Sequence, residues 1–88
     1  MRYSVNKAVA QWRVVDDEAV VVNAETSFYY SLNRSGTVAW QAMAERPHTL
    51  DELAQAVART FQIDEARARH DLTPLVAQLR DERLLTES

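Results

Sequence analysis

The chain has 88 residues, a formal net charge of −3 and no cysteine. This length supports one domain with a single hydrophobic core. The lack of cysteine excludes a disulfide framework, a thiolate nucleophile and a cysteine-rich zinc site. The negative charge gives no bulk attraction to nucleic acid or to an anionic membrane. With no signal peptide visible and no apolar run near the ~20 residues of a membrane helix, we expect a soluble cytoplasmic domain.

The first half of the chain predicts three antiparallel strands. Ala10–Val15 and Glu18–Asn23 are rich in β-branched residues, and the two aspartates between them are typical of a turn. After a polar turn, Ser27–Leu32 forms a third segment with three consecutive aromatic residues, which we call the aromatic strand. Residues 1–8 form either a flexible arm or a further short strand, and the sequence leaves both open.

Side chains of the aromatic strand alternate between the two faces of the sheet. Phe28, Tyr30 and Leu32 share one face, and Tyr29 and Ser31 share the other. Three consecutive aromatic residues cannot all face a core, so we expect Tyr29 to be partly exposed. If this strand lies at the edge of the sheet, its unpaired backbone N–H and C=O groups favour the addition of another strand.

The second half of the chain has helical periodicity and predicts three helices. Asn33 or Ser35 caps the first helix, and Pro47 ends it. Thr49 and Glu52 form a capping box at the start of the second helix, and Asp64 starts the third. The apolar stripe of the third helix consists of Ala68, Leu72, Leu75, Val76 and Leu79. The predicted fold class is therefore α+β: a three-stranded antiparallel sheet followed by three helices, similar to a winged helix-turn-helix domain.

Pro74 lies inside the third predicted helix. A proline at this position removes one backbone hydrogen bond and leaves the carbonyl of His70 without its usual partner. Either the helix kinks, or Thr73 caps a new start with Pro74 in its first turn. The sequence leaves both alternatives open.

Residue types that perform catalysis or bind metals lack the spacing that either function needs. His48 and His70 lie in different elements without a third ligand, whereas zinc needs three or four converging groups. The acidic residues sit mostly in first helical turns, where they favour the helix dipole. No serine lies in the sequence pattern of a nucleophile elbow. The single glycine, Gly36, cannot form a phosphate-binding loop, because such loops need several glycines before a helix. We therefore expect no enzymatic activity, no cofactor and no metal.

A sheet with three helices also occurs in DNA-binding proteins of the helix-turn-helix class. Here the helical arginines alternate with acidic residues, which is typical of a solvated surface with intrahelical ion pairs. A groove-reading helix has a more one-sided positive face. We expect no nucleic-acid or membrane partner, although a DNA-binding regulator and a small structural or dimerising subunit remain alternatives to peptide binding.

Several segments, taken in order, resemble the PqqD-like family. That family has a hydrophobic strand, a tyrosine-containing strand, Leu-Asn, a glycine and a tryptophan in the first helix. The matching segments are Val20–Asn23, Ser27–Trp40, Thr49–Leu53, Asp71-Leu72 with Leu75 and Leu79, and Leu84-Leu85. The resemblance covers about residues 9–86. The family often has glycine before the final Leu-Leu, where this chain has Arg83.

The resemblance implies a RiPP recognition element, a domain that binds the leader segment of a ribosomally synthesised precursor peptide. In that family the leader adds as a strand beside the third strand and packs against the third helix. The resemblance implies that residues 1–88 form a single domain. The peptide-binding residues that it implies are Phe28, Tyr29, Tyr30, Ser31 and Leu32 on the strand and Arg67, His70, Asp71, Pro74 and Leu75 on the helix.

The resemblance also implies partners for the domain. They are the precursor leader peptide and a modifying enzyme or leader protease of the same pathway. A free-standing domain of this size resembles both the chaperone of pyrroloquinoline quinone synthesis and the leader-binding proteins of lasso-peptide pathways. An exposed strand edge can also pair with a second copy of the chain, so a homodimer remains an alternative.

Overall fold

A computed structural model describes all 88 residues, in five strands and three helices. In chain order the elements are β1 (Tyr3–Val5), β2 (Ala10–Val15), β3 (Glu18–Asn23), β4 (Tyr29–Ser31), α1 (Arg34–Glu45), α2 (Leu50–Phe61), α3 (Glu65–Asp81) and β5 (Leu85–Glu87). An antiparallel sheet has the order β2-β3-β4, and β1 and β5 form a second, two-stranded sheet. The predicted α+β fold with three antiparallel strands and three helices is confirmed.

The N-terminal residues form a strand that joins the two ends of the chain. In the antiparallel pair of β1 and β5, Tyr3 lies opposite Glu87 and Val5 lies opposite Leu85. The backbone of Tyr3 also exchanges two hydrogen bonds with His48, at 2.7 and 2.9 Å. Of the two alternatives for residues 1–8, the structure therefore has the further short strand.

The β2–β3 hairpin turns at two aspartates, as the sequence predicts. Asp16 and Asp17 have φ values of 51° and 65°. Positive φ at both central residues gives the turn a twist that matches the twist of the flanking strands. Aspartate tolerates this conformation because its short polar side chain can bond locally. The resulting register places Ala19 and Val21, which are fully buried, on the inner face of the sheet.

The predicted helix starts agree with the structure. Asn33, and not Ser35, caps α1, because its Oδ1 accepts a hydrogen bond from the N–H of Gly36 at 2.8 Å. Thr49 and Glu52 make both hydrogen bonds of the capping box at the start of α2. None of the three helices has the combined length and apolar character needed to cross a membrane.

α3 continues as one helix through Pro74. The hydroxyl of Thr73 donates to the carbonyl of Arg69 at 2.7 Å, so it bonds backwards within the same helix and does not cap a new one. The alternative of a second helix start at Thr73 is therefore wrong.

The core lies between the inner face of the three-stranded sheet and the helices. Trp40 is fully buried and meets Trp12 edge to face, with ring centroids 5.5 Å apart. The predicted stripe of α3 is buried except for Leu75, which is partly exposed. Leu75 therefore lies at the margin of the core, where α3 passes the end of β4.

Two of the helices are followed by a residue in the left-handed backbone conformation. Gln62 follows α2 with a φ of 55°, and Arg83 follows α3 with a φ of 63°. At the second of these ends, the N–H of Leu84 bonds to the carbonyl of Leu79 at 2.9 Å, which closes the helix. Arg83 therefore adopts the conformation that glycine would favour at this position, and the turn into β5 is preserved.

Replacement of Gln62 by glycine should raise the free energy of unfolding by about 0.5–1 kcal/mol, because glycine adopts a positive φ without a steric penalty. Gln78, exposed within α3, provides the matched control. Gln78→Gly should lower the free energy of unfolding by about 1 kcal/mol, the usual cost of glycine inside a helix. Urea denaturation measures both values, and destabilisation by Gln62→Gly would contradict this account.

Candidate peptide-binding site

β4 is an edge strand, since β3 is its only neighbour in the sheet. The carbonyl of Phe28 accepts a hydrogen bond from the N–H of Asn23, and the N–H of Leu32 donates to the carbonyl of Ala19, both at 2.8 Å. Alternate residues of an antiparallel strand bond to the same neighbour. Phe28, Tyr30 and Leu32 therefore direct their backbone groups towards β3.

The two residues between them face the open edge. Tyr29 and Ser31 direct their backbone N–H and C=O groups away from β3, so the edge presents two donors and two acceptors. Their side chains lie on the outer face of the sheet, and Tyr29 is 71% exposed. The expectation that Tyr29 is exposed is confirmed.

The inner face of β4 is only partly covered. Leu32 is buried and Tyr30 is half-buried, but the Phe28 side chain is 66% exposed. Phe28 follows Ser27, whose φ of 66° turns the chain sharply into the strand. The edge of the sheet thus has an exposed aromatic ring at its start and a buried leucine at its end.

A cavity of about 320 Å³ opens between the end of β4, the first turn of α1 and α3. Its lining consists of Ser31, Leu32, Asn33, Ser35, Gly36, Asp71, Leu72 and Leu75. Gly36 allows α1 to approach α3 closely here, because an added Cβ would lie 3.0 Å from Cδ2 of Leu75. The cavity has leucine walls and a polar rim with one carboxylate.

The structure brings four of the ten sequence-predicted site residues together around this cavity. These are Ser31, Leu32, Asp71 and Leu75, whereas Phe28, Tyr29, Tyr30, Arg67, His70 and Pro74 lie outside its lining. The sequence predicts Asn33 and Ser35 only as caps and does not place Gly36 in the site. The absence of a loop between Leu32 and α1 was the signal that the first turn of α1 adjoins the strand end.

Asn23 is a buried amide that joins the turn before β4 to the end of α3. Its side chain is 1% exposed, and its Nδ2 donates to the carbonyl of Glu82 at 2.7 Å. Its Oδ1 accepts hydrogen bonds from the N–H groups of Glu25 and Thr26, at 2.9 and 3.2 Å. Asn23 therefore fixes the position of β4 relative to α3.

Asn23→Ala should lower the free energy of unfolding by about 2–3 kcal/mol, because it removes three partly buried hydrogen bonds, each worth a net ~0.5–1.5 kcal/mol. Asn33→Ala is the matched control and should cost about 1 kcal/mol, the usual value for a lost helix cap. Thermal and urea unfolding measure both values. An equal or smaller loss in Asn23→Ala would contradict the role assigned to this amide.

The phenol of Tyr30 lies near the carboxylate of Glu82, which follows α3. This carboxylate, as an acceptor for the phenol proton, raises the pKa of Tyr30 above its ordinary value, and partial burial and the negative charge of the carboxylate act in the same direction. The protonated phenol is therefore the form that the folded protein favours. This contribution to stability is fully present below the ordinary pKa of tyrosine and is lost as the pH rises through the higher pKa of the folded state.

Glu82→Gln should lower the pKa of Tyr30 towards its ordinary value, because it removes the carboxylate that favours the protonated phenol. The ultraviolet absorbance of ionised tyrosine measures the titration, and subtraction of a Tyr30→Phe titration isolates Tyr30 from the other two tyrosines. Identical Tyr30 titrations with and without the Glu82 carboxylate would refute the contact.

The charged and metal-ligating residues form no other centre. No group of three histidine, aspartate or glutamate side chains lies close enough to hold a metal ion. On the helices, Arg69 pairs with Asp51 at 2.8 Å and with Glu65 at 3.4 Å. The second pair is an intrahelical ion pair of the kind that the mixed charge pattern predicts.

The open edge of β4 belongs to an α+β domain with a three-stranded antiparallel sheet and three helices. The family described as "Coenzyme PQQ synthesis protein D (PqqD)" matches residues 18–85, and the chain therefore belongs to the PqqD family. The resemblance found in the sequence is confirmed.

A similar fold occurs in a solved structure described as "TbiB1 in Complex with the TbiA(beta) Leader Peptide". The two chains superimpose with a TM-score of 0.81 at 21% sequence identity, over 97% of this chain and 96% of that chain. At this identity the similarity shows the fold. No match occurs among the curated proteins.

Proposed function

We propose that this protein is a RiPP recognition element, which binds the leader segment of a ribosomally synthesised precursor peptide by strand addition to β4. The observation that carries the proposal is the open edge at Tyr29 and Ser31 beside the cavity against α3. Membership of the PqqD family supports it, as does the similar fold of TbiB1, whose solved structure is a complex with a leader peptide.

In this proposal the leader strand lies beside β4 and in front of α3. The backbone groups of Tyr29 and Ser31 supply four hydrogen bonds, each worth a net ~0.5–1.5 kcal/mol. Side-chain packing must supply the rest, since association also costs translational and rotational freedom. We assign this packing to the residues predicted for the two walls, namely Phe28, Tyr30 and Leu32 on the strand and Arg67, His70, Asp71, Pro74 and Leu75 on the helix.

The bound leader would be delivered to a modifying enzyme or a leader protease of the same pathway, such as a lasso-peptide pathway. The domain itself would act in the cytoplasm as a binding partner and not as a catalyst. The exposed edge supports this role, because a peptide held by its leader leaves its core segment outside the domain. No step of the proposal requires a cofactor.

Ser31→Pro should weaken leader binding at least about tenfold, because proline removes an N–H from the open edge and its ring obstructs the added strand. Val14→Pro is the matched control. Val14 lies on β2 at the opposite edge of the same sheet, so its replacement should leave leader affinity nearly unchanged.

Fluorescence anisotropy with a labelled synthetic leader measures this affinity. The leader is taken from the precursor gene nearest to the gene for this chain. Circular dichroism verifies that both proline variants remain folded. Equal leader affinity of Ser31→Pro and the unmodified protein, or no binding by the unmodified protein, would contradict the proposal.

A further inference from the structure

Strand addition determines which peptide side chains face the helices. For a leader that adds antiparallel to β4, the peptide residues opposite Tyr29 and Ser31 form the hydrogen-bonded pairs, and their side chains point outward with those of Tyr29 and Ser31. Peptide residues opposite Tyr30 and Leu32 point inward. The two inward positions are separated by a single peptide residue.

Of these two positions, the one opposite Leu32 adjoins the cavity. Leu32 lines this space of about 320 Å³, and Tyr30 does not. A side chain that enters from the position opposite Leu32 meets the apolar walls formed with Leu72 and Leu75. The same lining includes the exposed carboxylate of Asp71.

Asp71 supplies the unmatched charge of the cavity. It is the one charged residue in the lining, and it takes part in none of the ion pairs of the molecule. Arg67 lies one helical turn earlier on α3, outside the lining, and forms no ion pair with Asp71. The carboxylate of Asp71 is therefore free to pair with a basic group of a ligand.

The N-terminus of α1 also borders the cavity and favours an anion there. Of its end amides, the N–H of Gly36 donates to the side chain of Asn33 at 2.8 Å, whereas the N–H groups of Arg34 and Ser35 make no hydrogen bond. A helix end carries about half an elementary charge, whereas the carboxylate of Asp71 carries a full one. Asp71 is therefore the stronger of the two opposing charges.

We infer that this cavity binds a lysine or arginine side chain of the peptide, and that Asp71 determines this specificity. The methylene stem would pack against Leu32, Leu72 and Leu75, and the cationic end would bond to the carboxylate of Asp71. The inference rests on the proposed strand addition and adds the chemistry of one peptide position.

Three blocked heptapeptides test the inference, each with threonine at positions one, three, five and seven and with lysine, methionine or glutamate at the positions between. Amide chemical shifts of the ¹⁵N-labelled full-length protein report binding at Tyr29 and Ser31. The lysine peptide should bind the unmodified protein about two- to fivefold more tightly than the methionine peptide, the range expected for a partly exposed ion pair. The glutamate peptide should bind most weakly.

Asp71→Asn should remove the preference for lysine over methionine. Asp64→Asn removes one charge from the start of the same helix, outside the cavity, where the Asp64 side chain makes no capping hydrogen bond. It should keep the preference. If the preference for lysine survives in Asp71→Asn, or disappears equally in Asp64→Asn, this inference is overturned while the proposed strand addition stands. Failure of all three peptides to shift the Tyr29 and Ser31 amides would overturn the proposed strand addition as well.

Discussion

The buried amide of Asn23 is the interaction on which the geometry of the site depends. It donates to the last turn of α3 and accepts from the turn that leads into β4. Both ends of the side chain are satisfied away from water, so displacement of either element would leave buried polar groups without partners. The strand edge and the helical wall are therefore held at a fixed separation before any ligand arrives, which lowers the entropic cost of binding.

An open strand edge is a liability, and at β4 the fold limits it to the backbone groups of two residues. β4 is only three residues long, and it passes directly into the cap of α1. Short edge strands resist indiscriminate pairing because they offer few hydrogen bonds. A ligand must therefore gain additional energy from side chains that face α3. Any extended peptide can bond to a sheet edge, but only peptides whose side chains fit against α3 gain this additional energy. The site is therefore selective for particular peptides.

Local sequence signals predicted much of the fold but little of the cavity. The bounds of β2 and β3 agree with the structure because their β-branched runs are separated by a turn-forming Asp-Asp pair. The β1–β5 pair was not foreseen, since its two strands lie at opposite ends of the chain and carry no local signal for each other. The sequence places Asn23 only at the end of the second predicted strand, because its bond to the carbonyl of Glu82 depends on tertiary structure.

The central claim is that a leader peptide completes the hydrogen bonds of β4, and amide hydrogen exchange tests it most directly. Without peptide, the N–H groups of Tyr29 and Ser31 should exchange rapidly, while Leu32, which bonds to Ala19, should be protected. A saturating leader peptide should slow exchange at Tyr29 and Ser31. A leader that binds tightly but leaves these two amides in fast exchange would contradict the account.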